Sequence, residues 1–320
     1  MVINVREISS FHVGGEPVTL SGLPPREMLL AQGAAPRSFS SDGDFETGQM
    51  YVQYVRLEAP RARYPLLLWH GGGMTGATWE TKPDGAPGWQ SWFLHAGHDV
   101  FVSDAVERGR ASWSRYPEIF RDSPHFRSKQ ECWELFRFGP PGSYATRTPY
   151  PETLFPVAQI DQFQKQIVPR WASNDAPTQA AYDALVRKVG PSVIMTHSQG
   201  GAFGFRAALH APETVRAVIA VEPSGAPDPD TVDVATLRRV PHLLVLGDYI
   251  DRDPLWRDNV ARVGRYFQAL REAGGTADVL DLPAMGIRGN SHFPMMDRNS
   301  DAVAALVQEW MGKQALTGAR

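Results

Sequence analysis

The sequence predicts an α/β protein built on a mainly parallel, doubly wound sheet with helices on both faces. Short apolar runs recur along the chain, helix-like segments lie between them, and one long aromatic stretch interrupts the alternation. Runs this short and continuous are what strands buried on both faces look like, since neither face alternates with solvent. Strands alternating with helices imply parallel pairing, because a parallel neighbour is reached only through a crossover.

The elements follow in order. Residues 1–60 read as antiparallel strands: "VREISSFHV" and "PVTLSG" flank Gly14-Gly15, a hairpin signal, and "QMYVQYVRL" alternates. Buried strands are expected at 64–70, 98–104, 191–197, 217–223, 242–248 and 277–283. Helices are expected at 178–189, 199–210, 256–273 and 300–311. In the last of these, Val303, Leu306, Val307 and Trp310 share one face. The exception is 111–174, rich in Trp, Phe, Tyr and Pro. It is too long for an ordinary connection and too aromatic for a disordered one. It reads as an insertion folded as a cap over the carboxyl edge of a core formed by 1–110 and 175–320.

Composition narrows the function classes. Of 320 residues, 42% are hydrophobic and 21% charged, which suits a globular chain with a sizeable core. The net charge of −3 is spread without a basic face, so neither nucleic acid nor anionic lipid is an expected partner. Cys132 is the only cysteine, which excludes an intramolecular disulfide. No apolar run approaches the roughly 18 residues that span a bilayer. The start "MVINVREISSFHVGG" lacks an apolar signal core, so a cytoplasmic protein is expected; periplasm or secretion would require a signal that has been removed. A homodimer is compatible with all of this.

The chemistry gathers at three places. "IMTHSQGGAFGF" runs an apolar strand into Ser198 and then into a Gly- and Ala-rich helix. That context suits a strained elbow that exposes a nucleophilic hydroxyl; the plainer reading is a helix N-cap serine. A serine needs a base and a group to orient it. His292, in "GNSHFPMMDRNS", is the only histidine after the last strand and is the candidate base. Glu222, ending "AVIAVEP", is preferred as the acid, with Asp248 after "HLLVLG" as the alternative. "LLLWHGGGMTG" supplies glycines whose amides could turn toward an oxyanion. Gly72 is the first choice of donor and Gly73 the second, together with the amide of Gln199. A phosphate loop is disfavoured, because no Lys-Ser/Thr and no G-x-G-x-x-G follows.

Together, "WHGGGMTG", "THSQGG", "VEPSG" and "GNSHF" resemble the α/β-hydrolase superfamily across nearly the whole chain, and within it a small bacterial esterase branch. "SDAVERGRAS" is similar to the loop that leads into the cap of such proteins. The resemblance implies a mainly parallel eight-stranded sheet and a Ser198, Glu222, His292 triad with the acid after the sixth strand. The usual acid position, three residues after Gly247, is Ile250 here. Thr196 departs from the pattern, standing where a glycine is usual in the crowded turn. The implied activity is a serine carboxylesterase acting on a small ester, apolar or aryl, through an acyl-enzyme. No metal or organic cofactor is needed. Lactonase, amidase, C–C hydrolase and acyltransferase share the machinery, and a non-catalytic binding protein is the remaining alternative. "HAGHD" (95–99) and His197 read as structural. Arg108, Arg110 and Arg115 read as a solvated face, with an anionic substrate as the alternative.

Overall fold

The apolar runs form the centre of one eight-stranded sheet, as their two-sided burial requires. The structure is a computed structural model and describes residues 2–114 and 116–318. Its strands and α-helices, in chain order, are β1 (Val5–Leu20), β2 (Arg26–Met28), β3 (Arg37–Phe39), β4 (Gly43–Leu57), β5 (Leu66–Trp69), α1 (Ala77–Glu80), α2 (Trp89–Ala96), β6 (Val100–Asp104), α3 (Lys129–Leu135), α4 (Ile160–Gln164), α5 (Asp175–Val189), β7 (Ser192–His197), α6 (Gly200–His210), β8 (Val215–Val221), β9 (His242–Leu246), α7 (Pro254–Glu272), β10 (Ala277–Asp281) and α8 (Ser300–Lys313). The sheet order is β1-β4-β6-β5-β7-β8-β9-β10. Every pair from β6 to β10 is parallel, whereas β4 and β1 join one edge antiparallel.

Both faces of the central strands are apolar, and alternate residues serve different layers. Leu66, Leu68, Val193 and Met195 pack in the layer that holds Trp89 and Phe93 of α2 and Val303 and Val307 of α8. Leu67, Trp69 and Ile194 pack in the opposite layer, with Leu185 of α5, Phe205 of α6 and Val263 of α7. Each fully buried Leu, Val or Ile contributes roughly 1.5–3 kcal/mol, which explains why these runs carry no polar side.

The expected hairpin at Gly14-Gly15 is not formed. β1 runs straight through both glycines and pairs with β4 on either side, Gly14 opposite Gln49 and Glu16 opposite Thr47. The reversal lies instead in residues 21–42, which carry the small antiparallel ribbon of β2 and β3. The glycines answer a different need. Gly14 has φ +73°, and a Cβ there would lie 2.8 Å from the Ala181 Cβ of α5. Gly14 therefore lets α5 cross the strand at close range, while a Cβ on Gly15 would meet the backbone of β4. Gly14→Ala combines that clash with a left-handed backbone and is expected to cost about 1–3 kcal/mol. An unchanged urea midpoint would contradict this account.

Part of 111–174 packs as core. Trp133, Phe136, Phe138, Phe155 and Phe163 are buried in the same cluster as Phe293, Met295 and Met296. Phe138 stacks on Phe155 with ring centroids 3.8 Å apart, and Phe163 meets both edge-on. These rings fill space between the segment and the 293–296 turn. Cys132 is buried there too, and burial pushes its thiol up to about 12, leaving it unreactive. Among the described residues no helix is long and apolar enough to cross a membrane.

Candidate active site

Ser198 stands at the carboxyl end of β7 with φ 52°, and α6 begins two residues later. A left-handed non-glycine residue costs about 1–3 kcal/mol and persists only where the surroundings hold it. Here Ser198 N–H donates to the Val221 carbonyl at 3.1 Å, and the Ser198 carbonyl accepts from Gly201 and Ser224. The turn is crowded. A Cβ on Gly71 would lie 2.9 Å from Ser198 Cβ, one on Gly200 2.9 Å from the His70 carbonyl, and one on Gly201 2.5 Å from Pro223 Cβ. Thr196 fits because α6 presents glycine to it: a Cβ on Gly204 would be 2.7 Å from the Thr196 methyl. The bulk missing from the helix makes room for the β-branched residue in the strand. Ser198 keeps 9% of its surface exposed, whereas His292 has none.

Glu222 leaves the next strand, β8, in the same way, with φ 51°. Its Oε2 lies 3.0 Å from His292 Nδ1 and accepts from Arg137 Nη2 at 2.7 Å, while its Oε1 accepts from the Gly247 amide. Burial would raise this carboxyl, but the Arg137 charge and the His292 bond outweigh it and hold the group at about 2. Burial lowers His292 to about 4, with Glu222 opposing only in part, so the imidazole is neutral at neutral pH. The ring lies between Phe136, stacked at 5.5 Å, and Trp256, 4.1 Å away. Among the described residues His292 Nε2 has no hydrogen-bond partner, Ser198 Oγ included.

Asp248 does not reach the imidazole. Its carboxylate accepts from Tyr249 N–H and Gly289 N–H, which fastens the loop on which His292 sits. Asp297 holds the same loop, accepting from Asn290 Nδ2, Ser291 N–H and Ser291 Oγ. His197 donates through Nε2 to the His292 carbonyl at 2.8 Å, so it supports the loop from beneath. Arg137 is the residue sequence reasoning missed. It is buried, left-handed at φ 58°, and lies over the Trp256 ring; its Nε also donates to the Asp248 carbonyl. No motif surrounds it in "FRFGPP". Its partner is far away in sequence and its role appears only when the chain is folded.

The glycine loop follows β5 and lies beside the serine corner. The point a Cβ on Gly72 would occupy is 3.0 Å from Gln199 Oε1, so the Gln199 side chain lies against the glycine loop. Among the described residues neither the Gly72 nor the Gln199 amide donates to a protein acceptor. Gly73 has φ +72°, and its carbonyl accepts from Val168 N–H at 2.9 Å. His70 fixes the loop: Nδ1 donates to the Gly71 carbonyl and Nε2 accepts from Ala105 N–H. Burial and then Arg108 lower His70 to about 4, which keeps that neutral tautomer. Asp104 ties in the rest, accepting from Gly76 N–H at 2.7 Å and from the amide and Nε of Arg110.

The solvated arginine face is corrected in part. Arg108 is 4% exposed and pairs with Glu107 at 3.0 Å. Arg110 is held by Asp104 and lies over the Tyr51 ring. Arg115 lies outside the described residues. In "HAGHD", His98 bonds Gln308 and Asp99 accepts from Leu57 N–H. A cavity of about 620 Å³ opens between Tyr150, Asp248, Arg252 and Arg288.

This strand order, with the glycine loop, Ser198 and Glu222 at the carboxyl ends of β5, β7 and β8, defines the α/β-hydrolase class of fold. No family model matches the chain. A bacterial esterase solved at atomic resolution is 32% identical, with a TM-score of 0.85, and the match covers 98% of each chain. The chain belongs to that esterase's family within the α/β-hydrolase superfamily. A fungal protein (strain ATCC 74256) described as a "Probable secreted lipase phiG" is 26% identical over 339 aligned positions, covering 86% of this chain and 89% of that protein.

Proposed function

We propose that this hydrolase is a serine carboxylesterase in which Ser198, His292 and Glu222 act together. The observation that carries the reading is His292 Nδ1 bound to the buried Glu222 carboxylate beside a serine held left-handed at a strand end. His292 Nε2 removes the Ser198 proton, and Ser198 Oγ bonds to the ester carbonyl carbon. The electron pair displaced onto the carbonyl oxygen is met by the Gly72 and Gln199 amides. His292 then passes the proton to the leaving alcohol, and water cleaves the acyl-enzyme by the same path. Nε2 has no partner among the described residues, so the reading requires Ser198 Oγ and Nε2 to close when substrate binds, as catalytic hydrogen bonds commonly do. Residues 111–174 serve as the cap in this scheme, because Phe136 and Arg137 lie directly against His292 and Glu222. The fungal relative's description makes export the competing proposal to a cytoplasmic location.

A fluorophosphonate probe reacts only with an activated serine. One label per chain, located on Ser198 and absent from Ser198→Ala, is the expected result. Labelling that survives the substitution, or none in the wild type, would remove the basis of the proposal.

A further inference from the structure

One cation beside the glycine loop has no carboxylate of its own. Among the described residues the Arg170 side chain makes no hydrogen bond and no ion pair, and its Nε is buried without an acceptor. Its Nη1 lies 3.2 Å, and its Cδ 3.6 Å, from the point a Cβ on Gly72 would occupy. The guanidinium thus packs on the residue whose amide is the proposed oxyanion donor, next to Gln199. Arg127 lies at the next glycine, its Nε 3.6 Å from the corresponding point on Gly73 and likewise buried without an acceptor. Arg108 adds a third buried guanidinium nitrogen, Nη1, that lacks a partner.

The nearby carboxylates are already committed. Glu107 accepts from Arg108 Nε, Trp171 N–H and Asn174 Nδ2. Glu131 holds Arg127 and His125, and Asp175 accepts from Gln199 Nε2. Burial lowers the Arg170 pKa, and the like charges of Arg108 and Arg127 lower it further, ahead of the opposing pull of Asp175 and Glu107. A partly buried guanidinium facing two others is costly unless an anion joins it, and its planar fork matches a carboxylate.

We propose that the substrate is an ester carrying a carboxylate close to its scissile carbonyl, held by Arg170 and Arg127 beside the glycine loop. The proposal rests on the serine-esterase reading and replaces an apolar or aryl ester with an anionic one. The test compares mono-p-nitrophenyl glutarate with its neutral methyl ester. Wild type should prefer the anionic ester in kcat/KM by about tenfold or more, the scale of one charge-assisted hydrogen bond. The preference should reside in KM, weaken with added salt, collapse in Arg170→Gln and return in part in Arg170→Lys. A wild-type ratio at or below one, or the same ratio in Arg170→Gln, overturns the proposal. Should wild type cleave neither ester, the serine reading fails, and calorimetry with glutarate decides the anion site separately. Binding that drops about tenfold in folded Arg170→Gln supports the site, and equal or absent binding in both proteins overturns it.

Discussion

Glu222→Gln is expected to lower kcat/KM for a p-nitrophenyl ester by about ten-thousand-fold, the scale seen when a triad acid is replaced by its amide. The present carboxylate accepts from His292 Nδ1, so the imidazole keeps its proton there and leaves Nε2 free to act as base. An amide in that place can offer N–H instead of a lone pair, which stabilises the wrong tautomer. It also withdraws the charge that would stabilise the imidazolium formed as Ser198 attacks. Asp248→Asn touches neither function. It weakens the acceptor for Gly289 N–H, so a smaller loss is expected, within about tenfold, from a looser His292 loop. Steady-state kinetics on both variants, with melting curves to confirm folding, decide between them. If Asp248→Asn proves the more damaging, the acid has been misassigned.

The sequence made some of this legible because the causes are local. Strands buried on both faces have no side that meets solvent, so β5 to β9 stand out as largely apolar runs. Ser198 and the glycines around it are readable because a tight strand-to-helix turn tolerates few residue types. The Gly14-Gly15 misreading shows the limit of that logic. Glycine reports conformational freedom, and only Ala181, on a helix far along the chain, reveals that the freedom serves close approach. Thr196 breaks the expected pattern for a similar reason, since its compensation is Gly204 on the following helix. The insertion's aromatics were visible, but composition does not distinguish rings that pack on Phe293 from rings that line a pocket. Arg137 and Arg170 were not legible at all. Arginine is common on surfaces, and what sets these two apart is made by the fold: Arg137 is buried against Glu222, and Arg170 has its Nε buried without an acceptor.

Arg137→Met is expected to destabilise the fold by about 3–5 kcal/mol, because removing one member of a buried ion pair leaves the other charge uncompensated. The pair is among the most buried in the molecule, with both side chains 1% exposed. The kinetic effect has a direction that a purely structural role would not produce. Below its pKa of about 4 His292 is protonated and cannot accept from Ser198, so the wild-type acid limb of kcat/KM should lie near pH 4, well under the usual histidine range. Arg137 is one of the charges that lowers His292, and it is the charge that most lowers Glu222. Without it both values rise, and the acid limb should move to higher pH. Stability shifts in the same sense. Glu222, held at about 2 in the fold, stabilises the protein above its unfolded value near 4.5, and that contribution fades as pH falls toward 2. In Arg137→Met the folded value rises toward 4.5, so this pH-dependent contribution should shrink and its loss should be complete at a higher pH. The double variant Arg137→Met/Glu222→Gln separates the two roles. Removing both charges relieves the buried mismatch, so stability should recover in part, while activity stays as low as in Glu222→Gln alone. An acid limb that stays put in folded Arg137→Met, or a double variant no more stable than Arg137→Met, would show that Arg137 does not act through the Glu222 charge.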